Sequence, residues 1–154
     1  MVPMDDRILR LESQLCFPLY AAAKEVVGRY KPLLDKLDLT YTQYITMMVL
    51  WEHKTIGVKE LGRRLYLDSG TLTPLLKRLE GKGFVRRERS SADERAVDIT
   101  ITEAGEELKE KAMDIPGQMA SCMPLSPGEA GALYTLLYKL LGHPGDAGLP
   151  GAGE

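Results

Sequence analysis

VKELGRRLYLDSGTLTPLLKRLEGKGFVRRERSSADERAVDITIT, residues 58–102, decides the fold. Val58, Leu61 and Leu65 recur at helical spacing, so the stretch begins with a short amphipathic helix. Leu67-Asp68-Ser69-Gly70 reads as a polar turn in which Asp68 or Ser69 caps the next helix. That helix buries Leu72, Leu75, Leu76 and Leu79 and stops at Gly81 and Gly83. Its opposite face carries Ser69, Thr71, Thr73, Lys77 and Arg78. Short hydroxyls at the N-terminal end and cations further along are what a helix needs to enter a DNA groove, because its first turns reach base edges and its flanks meet phosphates. Two β-patterned runs follow, Phe84 to Arg89 and Val97 to Ile101, joined by a tip bearing Asp93, Glu94 and Arg95. Two helices, a turn and a basic hairpin make a winged helix-turn-helix, within a chain that is otherwise mainly α.

Charge supports that reading over a solubilising surface. Between Lys59 and Arg95 ten Lys or Arg stand against six Asp or Glu, whereas the 154-residue chain as a whole carries −2. Positive charge is concentrated where a phosphate backbone would lie. Arg86, Arg87 and Arg95 are expected at the backbone or minor groove, with Asp93 holding Arg95 in place.

Composition bounds the rest. At 44% hydrophobic and 27% charged, the chain suits one domain with a sizeable core. No apolar run reaches membrane-spanning length, and MVPMDDRILRLESQ has no apolar leader segment, so a cytoplasmic protein without membrane contact is expected. Two cysteines a hundred residues apart do not form a secreted disulfide framework. With His53 and His143 alone and no Cys-x-x-Cys, neither a metal site nor a cofactor is expected.

Outside the basic segment, residues 5–30 read as a helix with Ile8, Leu11, Leu15, Leu19, Ala22, Val26 and Tyr30 near one face, kinked at Pro18. Lys31-Pro32 marks a bend before Leu33–Leu37. A second helix starts at Thr42 and ends near His53. A long helix begins at Thr102 or Glu103, passes Leu108, Ala112 and Ile115, and breaks at Pro116-Gly117. A last helix follows Ser126-Pro127 with Leu133, Leu136, Leu137, Leu140 and Leu141. The Gly- and Pro-rich segment 142–154 has little to bury and is expected to be disordered. The whole is expected as one domain over 1–141, with the DNA-binding unit at about 42–102. Amphipathic helices at about 5–37 and 103–141 flank it and suit a homodimer interface. Two-fold symmetry then sets two recognition helices about one DNA turn apart, on a pseudo-palindromic operator.

Cys16 lies on the apolar side of the first helix, where a cysteine is usually packing. Tyr20, four residues on, shares its face. Tyr30 lies about 40° around the axis but roughly 21 Å along it, so it can approach only the Cys16 of an antiparallel partner. Tyr41 is a third neighbour. Phenolic hydroxyls donating to sulfur would stabilise a thiolate.

Several motifs carry a resemblance. DERAVDITITEAG (93–105) resembles the wing-to-helix signature of the MarR family of bacterial transcription regulators, with Asp93, Arg95, Thr100 and Thr102 in matching places. QLCFPLY (14–20), LTYTQY (39–44), WEHK (51–54) and YLDSGTLTPLLKRLE (66–80) resemble its OhrR branch, which senses organic hydroperoxides; the match runs over about residues 8–141. That resemblance implies a DNA-binding regulator, a repressor released from its operator when organic hydroperoxide oxidises Cys16, with Tyr20, Tyr30 and Tyr41 contacting the thiol. It leaves Cys122 with two readings, a resolving cysteine that joins the partner's Cys16 or a packed core residue. Two rival functions are a MarR regulator released by an aromatic ligand, with Cys16 structural, and a thiol peroxidase. The second has no use for a basic wing.

Overall fold

A computed structural model describes residues 5–142. The segment 143–154, most of the expected disordered tail, lies outside the described residues. The chain divides into two compact units, Met1–Ile115 and Pro116–Glu154. The first contains the whole DNA-binding segment.

Helix α1 spans Cys16–Asp35, not 5–30. Two 3-10 turns, Asp6–Leu9 and Leu11–Ser13, precede it. Side chains bind the carbonyls that an α-helix would have used: Ser13 Oγ donates to Arg7 O at 2.9 Å, and Gln14 Nε2 donates to Ile8 O at 2.6 Å and Arg10 O at 2.9 Å. Pro18 therefore makes no kink. It is the third residue of α1, where its missing N–H would have had no intrahelical acceptor. The expected bend at Lys31-Pro32 does not end the helix either. Pro32 forfeits one bond, and α1 continues to Asp35 because Leu34 is anchored in the core.

Helix α2, Tyr41–His53, starts one residue earlier than expected. Its cap is Thr40, whose Oγ1 accepts from Gln43 N at 3.3 Å while Gln43 Oε1 accepts from Thr40 N at 3.1 Å. α2 supplies the middle of the core through Tyr44, Met47, Leu50 and Trp51. Strand β1, Thr55–Gly57, follows, then α3, Val58–Leu65, and α4, Ser69–Gly81. Close approach of α3 and α4 requires Gly62, where a Cβ would lie 2.9 Å from the Leu67 carbonyl. Strands β2, Val85–Arg89, and β3, Val97–Ile101, form the hairpin. The sheet is three-stranded rather than a bare hairpin, because β1 pairs antiparallel with β3 in the order β1-β3-β2, with Thr55 opposite Thr100. Three residues are too few to show strand alternation in sequence.

Helix α5 spans Glu103–Ala112. Thr102 caps it, accepting from Gly105 N at 3.2 Å and donating to Gly83 O at 2.6 Å, which ties the end of α4 to the start of α5. Trp51 Nε1 donates to Gly105 O at 2.9 Å. The break comes at Met113-Asp114, ahead of Pro116. Helix α6, Ile115–Cys122, holds Pro116 in its first turn, where proline is tolerated. In the second unit, α7 spans Pro127–Leu140 behind a Ser126/Glu129 capping box.

Candidate nucleic-acid interface and thiol site

The recognition surface is built from the N-terminus of α4. Asp68, not Ser69, is the cap: its Oδ1 accepts from Thr71 N at 2.8 Å. This leaves Ser69, Thr71, Thr73, Lys77 and Arg78 on one exposed face, while Leu72, Leu75, Leu76 and Leu79 are buried behind them.

The cations divide by what they touch. Arg87 is bracketed to α4: its backbone N–H and its guanidinium both donate to Glu80, each at 3.2 Å, and this holds the Glu80 carboxyl below its usual range. Its first task is to fix the hairpin against the recognition helix. Arg86 pairs with Glu88 along β2 at 2.6 Å. Arg63 and Arg64 share Glu60, whose carboxyl the Arg63 guanidinium pulls down to about 2. Lys82 turns away from this face altogether, toward Asp38 and Gln43. Among the described residues, Lys59, Lys77, Arg78, Arg89 and Arg95 form no ion pair, and these are the charges open to phosphate. At the wing tip, Asp93 Oδ1 accepts from the Arg95 backbone N–H at 2.9 Å, and Asp93 O accepts from Ala96 N at 3.0 Å. Asp93 thus fixes the backbone of the turn and leaves the Arg95 guanidinium projecting.

Cys16 is the first residue of α1 and is exposed, as is Cys122 at the end of α6; neither forms a disulfide. Phe17, Leu19 and Tyr20 around Cys16 are exposed too. Tyr30 does not reach its own Cys16 but stacks on Tyr41, ring centroids 4.9 Å apart. The sequence reading missed the third member, Tyr44, whose ring lies 5.7 Å from Tyr30 and 6.4 Å from Tyr41 and backs onto Trp51 at 6.3 Å. Tyr41 and Tyr44 are three apart in one helix, the spacing that could have exposed the pair. Burial raises all three phenols above the ordinary tyrosine value, Tyr44 to about 12. They remain protonated donors across the physiological range. Among the described residues no group of His, Cys, Asp or Glu is placed to hold a metal ion, and no helix is long and apolar enough to cross a membrane.

Known proteins share this arrangement. A family model described as transcriptional regulator SarA/Rot matches residues 29–112, from Arg29 in α1 through the whole winged segment to the end of α5. An organic hydroperoxide resistance transcriptional regulator of Bacillus subtilis is 53% identical over 133 residues, 86% of this chain and 90% of the relative. Among solved structures, reduced AbfR bound to DNA superposes with a TM-score of 0.74 at 35% identity, over 90% of this chain and 96% of that one. A disulfide-formed AbfR superposes with a TM-score of 0.61 at 33% identity, covering 92% and 97%. An exposed recognition face on α4, a wing pinned to it by Arg87 and relatives that match from α1 to α5 lead to one assignment: the chain belongs to the MarR-type family of winged-helix, DNA-binding transcriptional regulators that includes SarA/Rot and the organic hydroperoxide resistance regulators.

Proposed function

We propose that this regulator works as a homodimeric repressor that senses organic hydroperoxides through Cys16 and releases a pseudo-palindromic operator when that cysteine is oxidised. The observation that carries this reading is the position of Cys16: exposed, in the first turn of α1, within an apolar surround of Leu15, Phe17 and Leu19. The first turn of a helix is where its dipole favours negative charge, which suits a nucleophilic sulfur. The Cys16 thiolate attacks one oxygen of the hydroperoxide, the O–O bond breaks, and the alkoxide leaves and takes a proton to become an alcohol. Sulfur is oxidised by two electrons to a sulfenic acid, and the peroxide is reduced by the same two. The apolar surround favours a peroxide bearing an organic group over hydrogen peroxide.

Dimerisation follows from what the single chain leaves uncovered. Leu9 and Leu15 are 81% and 82% exposed ahead of α1, and Leu136 and Leu140 are 62% and 67% exposed on α7. A second copy covering these residues would bring its own Tyr30, Tyr41 and Tyr44 toward Cys16 as protonated donors, with Tyr20 on the same face as the sulfur. Ser69, Thr71, Thr73, Lys77 and Arg78 then read the major groove and its flanking phosphates, and Arg86, Arg87 and Arg95 serve the wing. Oxidation alters the spacing of two recognition helices, which two half-sites do not tolerate. Cys122, exposed at the end of α6, supplies the thiol that attacks the sulfenic sulfur of a partner; the S–O bond breaks and water leaves as the disulfide forms. The relative crystallised in a disulfide-formed state supports thiol chemistry of this kind. Titrating cumene hydroperoxide into a complex of the protein with a duplex it has selected from a random-sequence pool tests the proposal. Release in step with oxidation of Cys16 supports it, and a complex that persists with Cys16 fully oxidised contradicts it.

A further inference from the structure

Lys82 is a cation of the basic segment whose ammonium turns toward Asp38 and Gln43 and away from the exposed face of α4. It is the residue just past α4, where its backbone N–H closes the last turn on Arg78 O, and its side chain crosses to the corner between α1 and α2. There the ammonium donates to the Asp38 carbonyl and, at 3.1 Å, to Gln43 Oε1, and it lies 3.6 Å from the Asp38 carboxylate. A lysine ammonium has three donors, and these acceptors surround it. Asp38 is itself held in the left-handed region, φ 55°, in the turn that follows α1. Gln43 is 3% exposed, and the same Oε1 that accepts from Lys82 accepts from Thr40 N in the capping box of α2.

The first turns of α2 that this box starts also carry Tyr41 and Tyr44, and both rings pack on Tyr30. One side chain thus joins the C-terminal end of the recognition helix to the turn that holds the tyrosines. A displacement of Tyr41 and Tyr44 moves the capping box, the capping box moves Gln43, and Lys82 carries that shift into α4. Packed rings and hydrogen bonds run without a break between the two sites, the kind of network that can carry coupling.

Resting on the reading of Cys16 as the peroxide sensor, we propose that Lys82 is a positioning residue that couples the tyrosine site to the recognition helix. Its side-chain partners are Asp38 and Gln43. It makes the orientation of α4 depend on where the first turn of α2 stands.

The test separates oxidation from release. Full-length wild type, Lys82→Met and Lys82→Arg are each treated with cumene hydroperoxide. Mass spectrometry follows Cys16 oxidation, and fluorescence anisotropy measures affinity for the duplex selected by reduced wild type. The readout is the ratio of oxidised to reduced Kd, which cancels any loss common to both states. Lys82→Met keeps the aliphatic stem and removes the charge and donors. Its Cys16 oxidises at the wild-type rate, while the Kd ratio falls by about 2- to 30-fold, the range for changes along a coupling route. Lys82→Arg keeps a cation and donors and holds the ratio nearer to wild type than Lys82→Met does. Should Lys82→Met not fold by circular dichroism, Lys82→Gln takes its place with the same expectation. A Kd ratio unchanged in the uncharged variant overturns the coupling role of Lys82. A wild-type ratio of one with Cys16 oxidised instead overturns the sensor reading beneath it.

Discussion

Replacing Gly105 with alanine tests the junction on which wing, recognition helix and core meet. A Cβ at this position would lie 2.4 Å from the Phe84 carbonyl oxygen, 2.7 Å from Ile101 Cγ1 and 3.1 Å from Met47 Cε. The first neighbour is backbone, and it must retreat by about 1 Å to reach ordinary contact at 3.4 Å. Phe84 O accepts from Thr102 N at 3.1 Å, and a shift of that size breaks the bond. Losing it costs about 1 kcal/mol, and forcing a methyl into a packed site adds roughly 1–3 kcal/mol. Alanine returns about 1 kcal/mol through helix propensity. The net expectation is a loss of about 1–3 kcal/mol, or roughly 2–12 °C in Tm for a chain of this length. Gly117→Ala is the control: it is also helical, but no atom stands within 4 Å of its added Cβ, so it should be neutral or stabilising. Urea unfolding at fixed protein concentration reads both variants. Trp51, the single tryptophan, is hydrogen-bonded to the Gly105 carbonyl, so its fluorescence reports this junction directly. Equal stability of Gly105→Ala and wild type would refute the packing argument.

Arg95→Ala should leave folding intact and weaken operator binding. The slope of log K against log salt should become shallower by about 0.9 for each phosphate no longer neutralised, close to 2 for a dimer; an unchanged slope removes Arg95 from the interface. Because Tyr44 has its folded pKa raised from 10.0 to about 12, the group contributes no pH dependence below 10, where it is protonated in both states. Between 10 and 12 the unfolded chain ionises first, so stability should fall as pH rises, and phenolate absorbance of the folded protein should show late-titrating tyrosine absent from Tyr44→Phe. Hydroperoxide should convert the protein to a species of double mass on a non-reducing gel, and Cys122→Ser should remain at single mass while still oxidising at Cys16. Disulfide Cα atoms lie roughly 4.4–6.8 Å apart, so no cross-link in wild type would leave Cys122 as packing.

Much of the winged segment was legible because its signals are local. Leucines at helical spacing, the polar turn before Ser69 and the charged hairpin tip each mark an element without reference to the rest of the chain. The N-terminal stretch misled for the opposite reason. Ile8, Leu11 and Leu15 have helical spacing, but Ser13 and Gln14 side chains take the backbone carbonyls and hold 3-10 turns instead. Strand β1 was too short to show alternation and exists only because β3 offers it a free edge. In the candidate site, residue type identified cations but not their partners. Arg87 meets Glu80 across the turn between α4 and β2, and Lys82 reaches Gln43 from a distant part of the chain, pairings that helical or strand spacing does not encode. Tyr44 was missed although it stands three residues from Tyr41 on α2, and it is also part of the core.

On the function proposed above, oxidation of Cys16, and of no other group, releases the DNA. The direct measurement is operator affinity of wild type and Cys16→Ser, each before and after one equivalent of cumene hydroperoxide, with Cys16 oxidation counted by mass spectrometry. Serine keeps the side-chain volume nearly constant and removes the nucleophile. Both reduced proteins should bind equally, oxidised wild type should lose binding, and Cys16→Ser should not respond. Peroxide-driven release of Cys16→Ser at the wild-type dose would contradict it.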